Sequence, residues 1–159
     1  MPNGGEADVI GNVVEQTIGT RNSTIVSFGA EGYSGARNVL RFIHNAVIND
    51  ESQGGTFLPV RPGADLVVSR NNLFVGIGLV DGSSVVDAPG DRSVDWRSFV
   101  RPQLHDYRLS EPSRSAWREA LLAPVAIDAL PRMEYVHPMG LAVLNGPPRW
   151  RCALQASAP

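Results

Sequence analysis

Few residues of this 159-residue chain could carry nucleophilic or metal chemistry. It has one cysteine, Cys152, and three histidines, His44, His105 and His137, which are far apart in sequence and have no cysteine partners. Zinc sites place cysteines and histidines at short spacings, so the sequence predicts no metal ion and no cofactor, and the histidines are interpreted as ordinary polar residues. All 14 basic residues are arginine. The absence of lysine excludes Schiff-base and P-loop chemistry.

Two segments nevertheless have the pattern of a catalytic cleft. The first is Gly-Tyr-Ser-Gly at residues 32–35, which leads into the apolar-striped segment Ala36–Ile48. The second combines Pro-Gly-Ala-Asp-Leu-Val at 62–67, Val-Gly-Ile-Gly-Leu-Val-Asp-Gly at 75–82 and Asp-Ala-Pro at 87–89. In this order, over about residues 30–92, the segments resemble the NlpC-type cysteine peptidase family, in which a cysteine opens a helix and two strands carry imidazoles.

The resemblance implies a degenerate site. It places the nucleophile at Tyr33, the base at Phe74 and the second imidazole at Asp87, the last only if one residue is inserted in the preceding turn. Tyrosine, with an ordinary pKa of about 10, is a poor nucleophile, and phenylalanine cannot accept a proton. We therefore expect no catalytic residue, no enzymatic activity and no small-molecule substrate.

The same patterns predict the fold. Apolar positions at helical spacing in Ala36–Ile48 predict an amphipathic helix, and the unbroken apolar run Leu73–Val80 predicts a central strand. Asp8–Ile18 fits a helix or a strand. Further strands are expected at 24–28, 66–69, 84–87, 133–136, 141–144 and 150–154. With the resemblance, this gives an α+β fold in which the helix packs on an antiparallel sheet of about five or six strands.

A single domain over residues 1–159 is expected, with a polar tail at 1–8, an NlpC-like core at 30–92, and a second helix and C-terminal hairpin in 93–159. The second helix should begin near Ser110–Pro112 and bury Trp117, Ala120 and Leu121, because serine, an acid and proline favour a helix start. No internal repeat is recognised in the sequence.

Charge is divided unevenly between the two parts of the chain. Residues 1–91 carry 5 Arg and 10 acids, net −5, whereas residues 92–159 carry 9 Arg and 6 acids, net +3, which together give the formal charge of −2. Such a dipole favours docking to identical subunits or to a partner, with the arginines after Arg92 as contacts. The basic part has no dense stripe with interleaved aromatic residues, so nucleic acid is not an expected partner.

The sequence predicts a non-catalytic structural or interaction protein, a self-associating subunit of a larger assembly such as a virion-associated or capsid-surface protein. The alternative is a divergent or permuted cysteine hydrolase that acts on amide bonds of peptides or cell-wall material. It would depend on Cys152, which alternates with Trp150 and Leu154 as a core strand residue does. No signal sequence and no apolar run of about 18 residues is present, so no membrane partner and an intracellular or virion-associated location are expected.

Overall fold

A computed structural model of the chain describes residues 1–80, 88–116, 122–138 and 140–149. Within these ranges the chain is mainly strand. The strands are β1 Glu6–Ile10, β2 Val13–Gln16, β3 Val39–Ile43, β4 Ala46–Asn49, β5 Leu66–Arg70, β6 Leu73–Gly76, β7 Arg92–Val94, β8 Phe99–Arg101, β9 Asp106–Leu109, β10 Met133–Val136 and β11 Gly140–Val143. One α-helix, α1, spans Glu111–Ala116, and single 3-10 turns lie at Trp96–Ser98, Pro102–Leu104 and Ile127–Ala129.

The first seven strands form a parallel coil. One parallel sheet has the order β1-β3-β5 and a second has the order β2-β4-β6-β7. A third side is formed by parallel bridges that join Thr24 to Thr56, Phe28 to Val60 and Thr56 to Leu79. Each turn of the coil, here called a rung, therefore stacks on the next along parallel ladders, which is the architecture of a parallel β-helix.

A repeated corner holds the rungs together. The residue before each corner has a positive φ, namely Gly11 at 69°, His44 at 55°, Asn71 at 57° and Gly90 at 82°. The next residue is an amide or a carboxylate whose side chain bonds the neighbouring rung. These ladder residues are Asn12, Asn45, Asn72 and Asp91.

The ladder bonds all run in one direction. The backbone N–H of Asn12 donates to Asn45 Oδ1 at 2.9 Å, that of Asn45 to Asn72 Oδ1 at 2.8 Å, and that of Asn72 to Asp91 Oδ1 at 2.8 Å. The side-chain amide of each asparagine donates to the same acceptor. Each rung therefore depends on the polar side chain of the following rung for its corner N–H.

Two apolar clusters lie on either side of the second sheet. The inner cluster fills the coil and includes Val47 and Phe74 together with Phe28, Phe57 and Leu40. The outer cluster lies on the opposite face. It joins Ala46, Ile48, Leu73 and Val75 to Phe99, Tyr107 and Leu109, with Trp96 and Tyr135 packed against it. The part of the chain that follows β7, here called the second part, thus covers the outer face of the β2-β4-β6-β7 sheet.

The expected helix at Ala36–Ile48 and the expected antiparallel α+β sheet are both wrong. The segment forms strands β3 and β4, separated by the positive-φ corner at His44, and both strands pair in parallel with their neighbours. Their apolar residues do not alternate with polar ones because these strands are buried on both faces. The spacing of the apolar residues therefore fits a helix as well as a strand pair.

The outcome is mixed for the other expected elements. Strands are confirmed at Leu66–Arg70 and Met133–Val136, while the run from Leu73 is a strand only to Gly76. Residues 1–8, expected as a tail, include most of β1, and a helix does begin at Glu111. Trp117, Ala120, Leu121 and the expected strands at 84–87 and 150–154 lie outside the described residues. No helix in the described ranges is long and apolar enough to cross a membrane.

Asp91 at the end of the ladder should make stability depend on pH. Burial raises the pKa of this carboxyl to about 6, although the Asn72 and Ser69 bonds oppose the shift. Because the folded pKa is above the unfolded one, the protonated form favours the folded state, and stability is lost as pH rises from about 4 through 6. Asp91→Asn keeps the two acceptor bonds of the ladder without the charge. It should be more stable than the native chain by about 3 kcal/mol at pH 7.5, in proportion to the pKa shift.

Urea unfolding of both proteins between pH 4 and 8 tests this prediction. The advantage of Asp91→Asn should shrink below pH 6 and vanish near pH 4, where both side chains are neutral. An advantage that is the same at every pH would contradict the assigned titration.

Candidate interaction groove

A groove lies where the first rung meets the second part of the chain. Its volume is about 510 Å³. It is lined by Gly11, Asn12, Val13, Glu15, Leu104, His105, Tyr107, Tyr135, His137, Pro138 and Leu141. One wall is thus the end of the coil, and the other is the β10-β11 hairpin with the residues around His105.

Glu15 binds the second part of the chain to the first rung. His105 Nδ1 lies 2.9 and 3.0 Å from the two carboxylate oxygens of Glu15, across 90 residues of sequence. Burial, together with the nearby Glu15 carboxylate, strongly raises the pKa of the Tyr107 hydroxyl. The contact between His105 and Glu15 therefore joins the two walls of the groove.

A second carboxylate lies beneath this wall. The side chain of Asp106 is fully buried and bonds Arg108 at 2.8 Å, and Arg101 lies 3.6 Å away. The hydrogen bonds from Arg108 lower the pKa of Asp106 despite its burial. His137 Nδ1 is 3.2 Å from the His105 carbonyl oxygen, so the His137 side chain contacts the backbone of His105. The described residues contain no group of three or more His, Cys, Asp or Glu side chains arranged to hold a metal ion.

The hairpin wall is apolar and exposed. Met133 pairs with Val143 and Tyr135 with Leu141, so these four side chains share one face of the hairpin. Tyr135 packs against the outer cluster, whereas Leu141 is 71% exposed and Val143 is 67% exposed. Leu104, which lines the groove beside Leu141, is 55% exposed.

The coil wall is the open edge of a strand. Among the strands that the structure describes, none pairs with the other side of β2. The carbonyls of Asn12 and Gln16 accept from Ala46 and Asp50 of the second rung, at 2.8 and 3.0 Å. Because successive residues of a strand direct their backbone groups to opposite sides, Val13 and Glu15 direct theirs towards the groove.

Two of the three positions expected for a degenerate catalytic cleft, Tyr33 and Phe74, belong to the inner cluster or pack against it. The Tyr33 ring contacts Phe28 in a tilted arrangement with 5.7 Å between ring centroids, and its hydroxyl donates to the Arg61 carbonyl. Phe74 is fully buried in the inner cluster, 5.4 Å from the Phe57 ring centroid. Neither residue lines the groove, and Asp87 lies outside the described residues.

Sequence reasoning missed the groove because its residues come from distant parts of the chain. His105 and His137 are close in space, while His44 lies apart from them at a buried corner, 3.4 Å from Asn71 Nδ2. One signal was present: an asparagine or aspartate follows a corner residue at 12, 45, 72 and 91. The separations of 33, 27 and 19 residues are unequal, which hides the repeat.

No protein-family model, curated protein or solved structure matches this chain.

Proposed function

We propose that this chain is a non-catalytic structural and interaction protein that self-associates as a subunit of a larger assembly. The observation that carries the proposal is the apolar hairpin face of Leu141 and Val143, which is largely exposed and borders the groove. Single exposed apolar residues are normal, but several on one face beside a groove are typical of a protein contact. A virion or capsid surface is one setting for such a subunit.

The bonding of two carboxylates in and behind the groove wall supports a structural role for them. Glu15 is bonded by His105, and the buried Asp106 is bonded by Arg108. Glu15 joins the coil to the second part of the chain, and Asp106 joins Arg101 of β8 to Arg108 of β9, so both carboxylates make contacts that stabilise the fold. The alternative, an amide hydrolase that uses Cys152, rests on a residue outside the described ranges and has no support from the groove.

Self-association is testable by sedimentation. The native chain should form dimers or larger species as its concentration rises from about 1 to 100 µM, the range of a contact of ordinary strength. Leu141→Glu combined with Val143→Glu should weaken association by at least about tenfold, because two charges would be buried at the contact.

The matched control is Ile127→Glu, which changes an apolar residue that is 88% exposed but lies outside the hairpin. It should associate as the native chain does. A native chain that stays monomeric over the whole range, or a hairpin variant that associates normally, would refute the proposal.

A further inference from the structure

We infer that the groove binds an extended strand from a neighbouring protein subunit, which pairs in parallel with the open edge of β2. This inference deepens the proposed function and rests on it. The strand would occupy the position of a rung preceding the first one, between β2 and the apolar face of the hairpin.

The backbone of β2 supplies the pairing groups. Val13 and Glu15 both line the groove. The carbonyls of Asn12 and Gln16 face the second rung, so the backbone N–H and C=O groups of Val13 and Glu15 face the opposite side, towards the groove. A peptide that pairs with such an edge obtains its affinity from main-chain hydrogen bonds and its specificity from alternate side chains. The four residues of β2 span about 13 Å at about 3.3 Å per residue, which is enough for a short strand to pair.

The asparagine ladder provides a second, independent argument. Asn45 Oδ1 accepts from the backbone N–H and the side-chain amide of Asn12 in the preceding rung. Asn45 Nδ2 also reaches back to the Val9 carbonyl of that rung, at 2.8 Å. Asn12 has no preceding described rung, so its Nδ2 bonds Ile10 of its own rung instead. If Asn12 is oriented as Asn45 is, its Oδ1 can accept from the corner N–H of a preceding rung. That N–H would lie in the groove, which Asn12 lines.

The N-terminal residues show that this end of the coil accepts a parallel strand. The Met1 amino group donates to the Ser27 carbonyl, and the Gly29 N–H donates to the Met1 carbonyl. Met1 thus occupies a parallel ladder position beside Phe28, on the side opposite Val60. On the third side of the coil, Met1 therefore pairs with the first rung from the position of a preceding rung. The edge of β2 is open in the same way.

The aligned side chains of the first two rungs indicate which side chains the partner strand should have. Val14 and Val47 face the inner cluster, while Val13 and Ala46 face the outer one. A strand that continues this stack would present an apolar residue on each face and an asparagine at the corner. The outward apolar residue would contact Tyr135 and Leu141 of the hairpin wall.

A peptide with this pattern exists in the chain itself and can serve as the probe. An acetylated and amidated peptide that copies Phe42–Asn49, Phe-Ile-His-Asn-Ala-Val-Ile-Asn, should bind the full chain saturably. The same peptide with alanine in place of its corner asparagine should bind at least about tenfold more weakly. On binding, hydrogen exchange at the Val13 and Glu15 amides should slow, since these groups become paired.

Two protein variants make the test specific. Val13→Pro removes an N–H that faces the groove, a change that an edge strand tolerates, and should weaken peptide binding at least about tenfold. Val13→Ile keeps the N–H and should bind normally. Leu141→Glu, at an exposed site, should weaken binding without any change in the coil.

No saturable binding up to about 1 mM, or binding without slower exchange at Val13 and Glu15, overturns the inference. Equal binding by Val13→Pro overturns it as well. Self-association of the native chain that persists despite such a result would leave the proposed function standing, so the two failures can be told apart.

Discussion

Replacement of Asn45 by alanine should lower the free energy of unfolding by about 3 to 5 kcal/mol, because buried polar groups lose their partners at about 1 to 3 kcal/mol each. Asn45 is fully buried. Its Oδ1 accepts from the Asn12 N–H, and its Nδ2 donates to the Val9 carbonyl and to Asn72 Oδ1. Alanine can replace none of these bonds, and the buried Asn72 side chain would lose one of its partners.

The matched control is Asn12→Ala at the end of the same ladder. Asn12 is exposed, and among the described residues its side chain bonds Ile10 and Asn45 alone. Its removal should cost about 1 kcal/mol or less, as for an exposed hydrogen bond. Urea unfolding followed by circular dichroism measures both variants. Equal losses for Asn12→Ala and Asn45→Ala would show that the ladder does not stabilise the stack.

The second large effect is expected at Gly76, where the chain leaves β6. Its φ is 96°, and a Cβ placed there would lie 2.0 Å from the Asn49 carbonyl oxygen of the neighbouring rung. The carbonyl oxygen belongs to the backbone of β4, and the Cβ would be fixed to the backbone of β6. Neither can move without breaking the pairing of these two strands. Gly76→Ala should therefore cost about 4 kcal/mol or more, or prevent folding, as severe steric conflicts in a core do.

Gly19→Ala separates the two causes of this loss. Gly19 has a φ of 89°, close to that of Gly76, but nothing lies within 4 Å of a Cβ added there. This control pays only the left-handed backbone strain of about 1 to 2 kcal/mol. Soluble expression and thermal unfolding of the two variants should differ sharply. If Gly76→Ala unfolds like Gly19→Ala, the close approach of the rungs at Asn49 is incorrect.

The strand content of the chain was partly predictable because local signals agree with the fold at several places. Leu66–Arg70 and Met133–Val136 are rich in apolar residues and are strands, as expected. The helix start near Ser110 was also visible, since Glu111 and Pro112 are favourable there. Short-range preference and the final structure point the same way at these positions.

The coil itself could not be derived by the same reasoning. The apolar residues Val39, Leu40, Ile43 and Val47 are spaced as on a helix, but β3 and β4 are covered on both faces, so no alternation marks them as strands. Their hydrogen-bond partners lie 33 residues before and 27 residues after them. Local patterns contain no information on such distances, and unequal loops between the rungs conceal the repeat.

The amino-acid sequence by itself determined the chemistry that the chain can offer: a single cysteine, no lysine, and the amide and carboxylate side chains of the ladder residues. The tertiary structure alone decided that the corner residues form one ladder and that Glu15, His105 and Tyr107 meet across a groove. The physical reason is that a parallel stack satisfies its backbone only between rungs, so each residue's partner depends on loop lengths and burial along the whole coil.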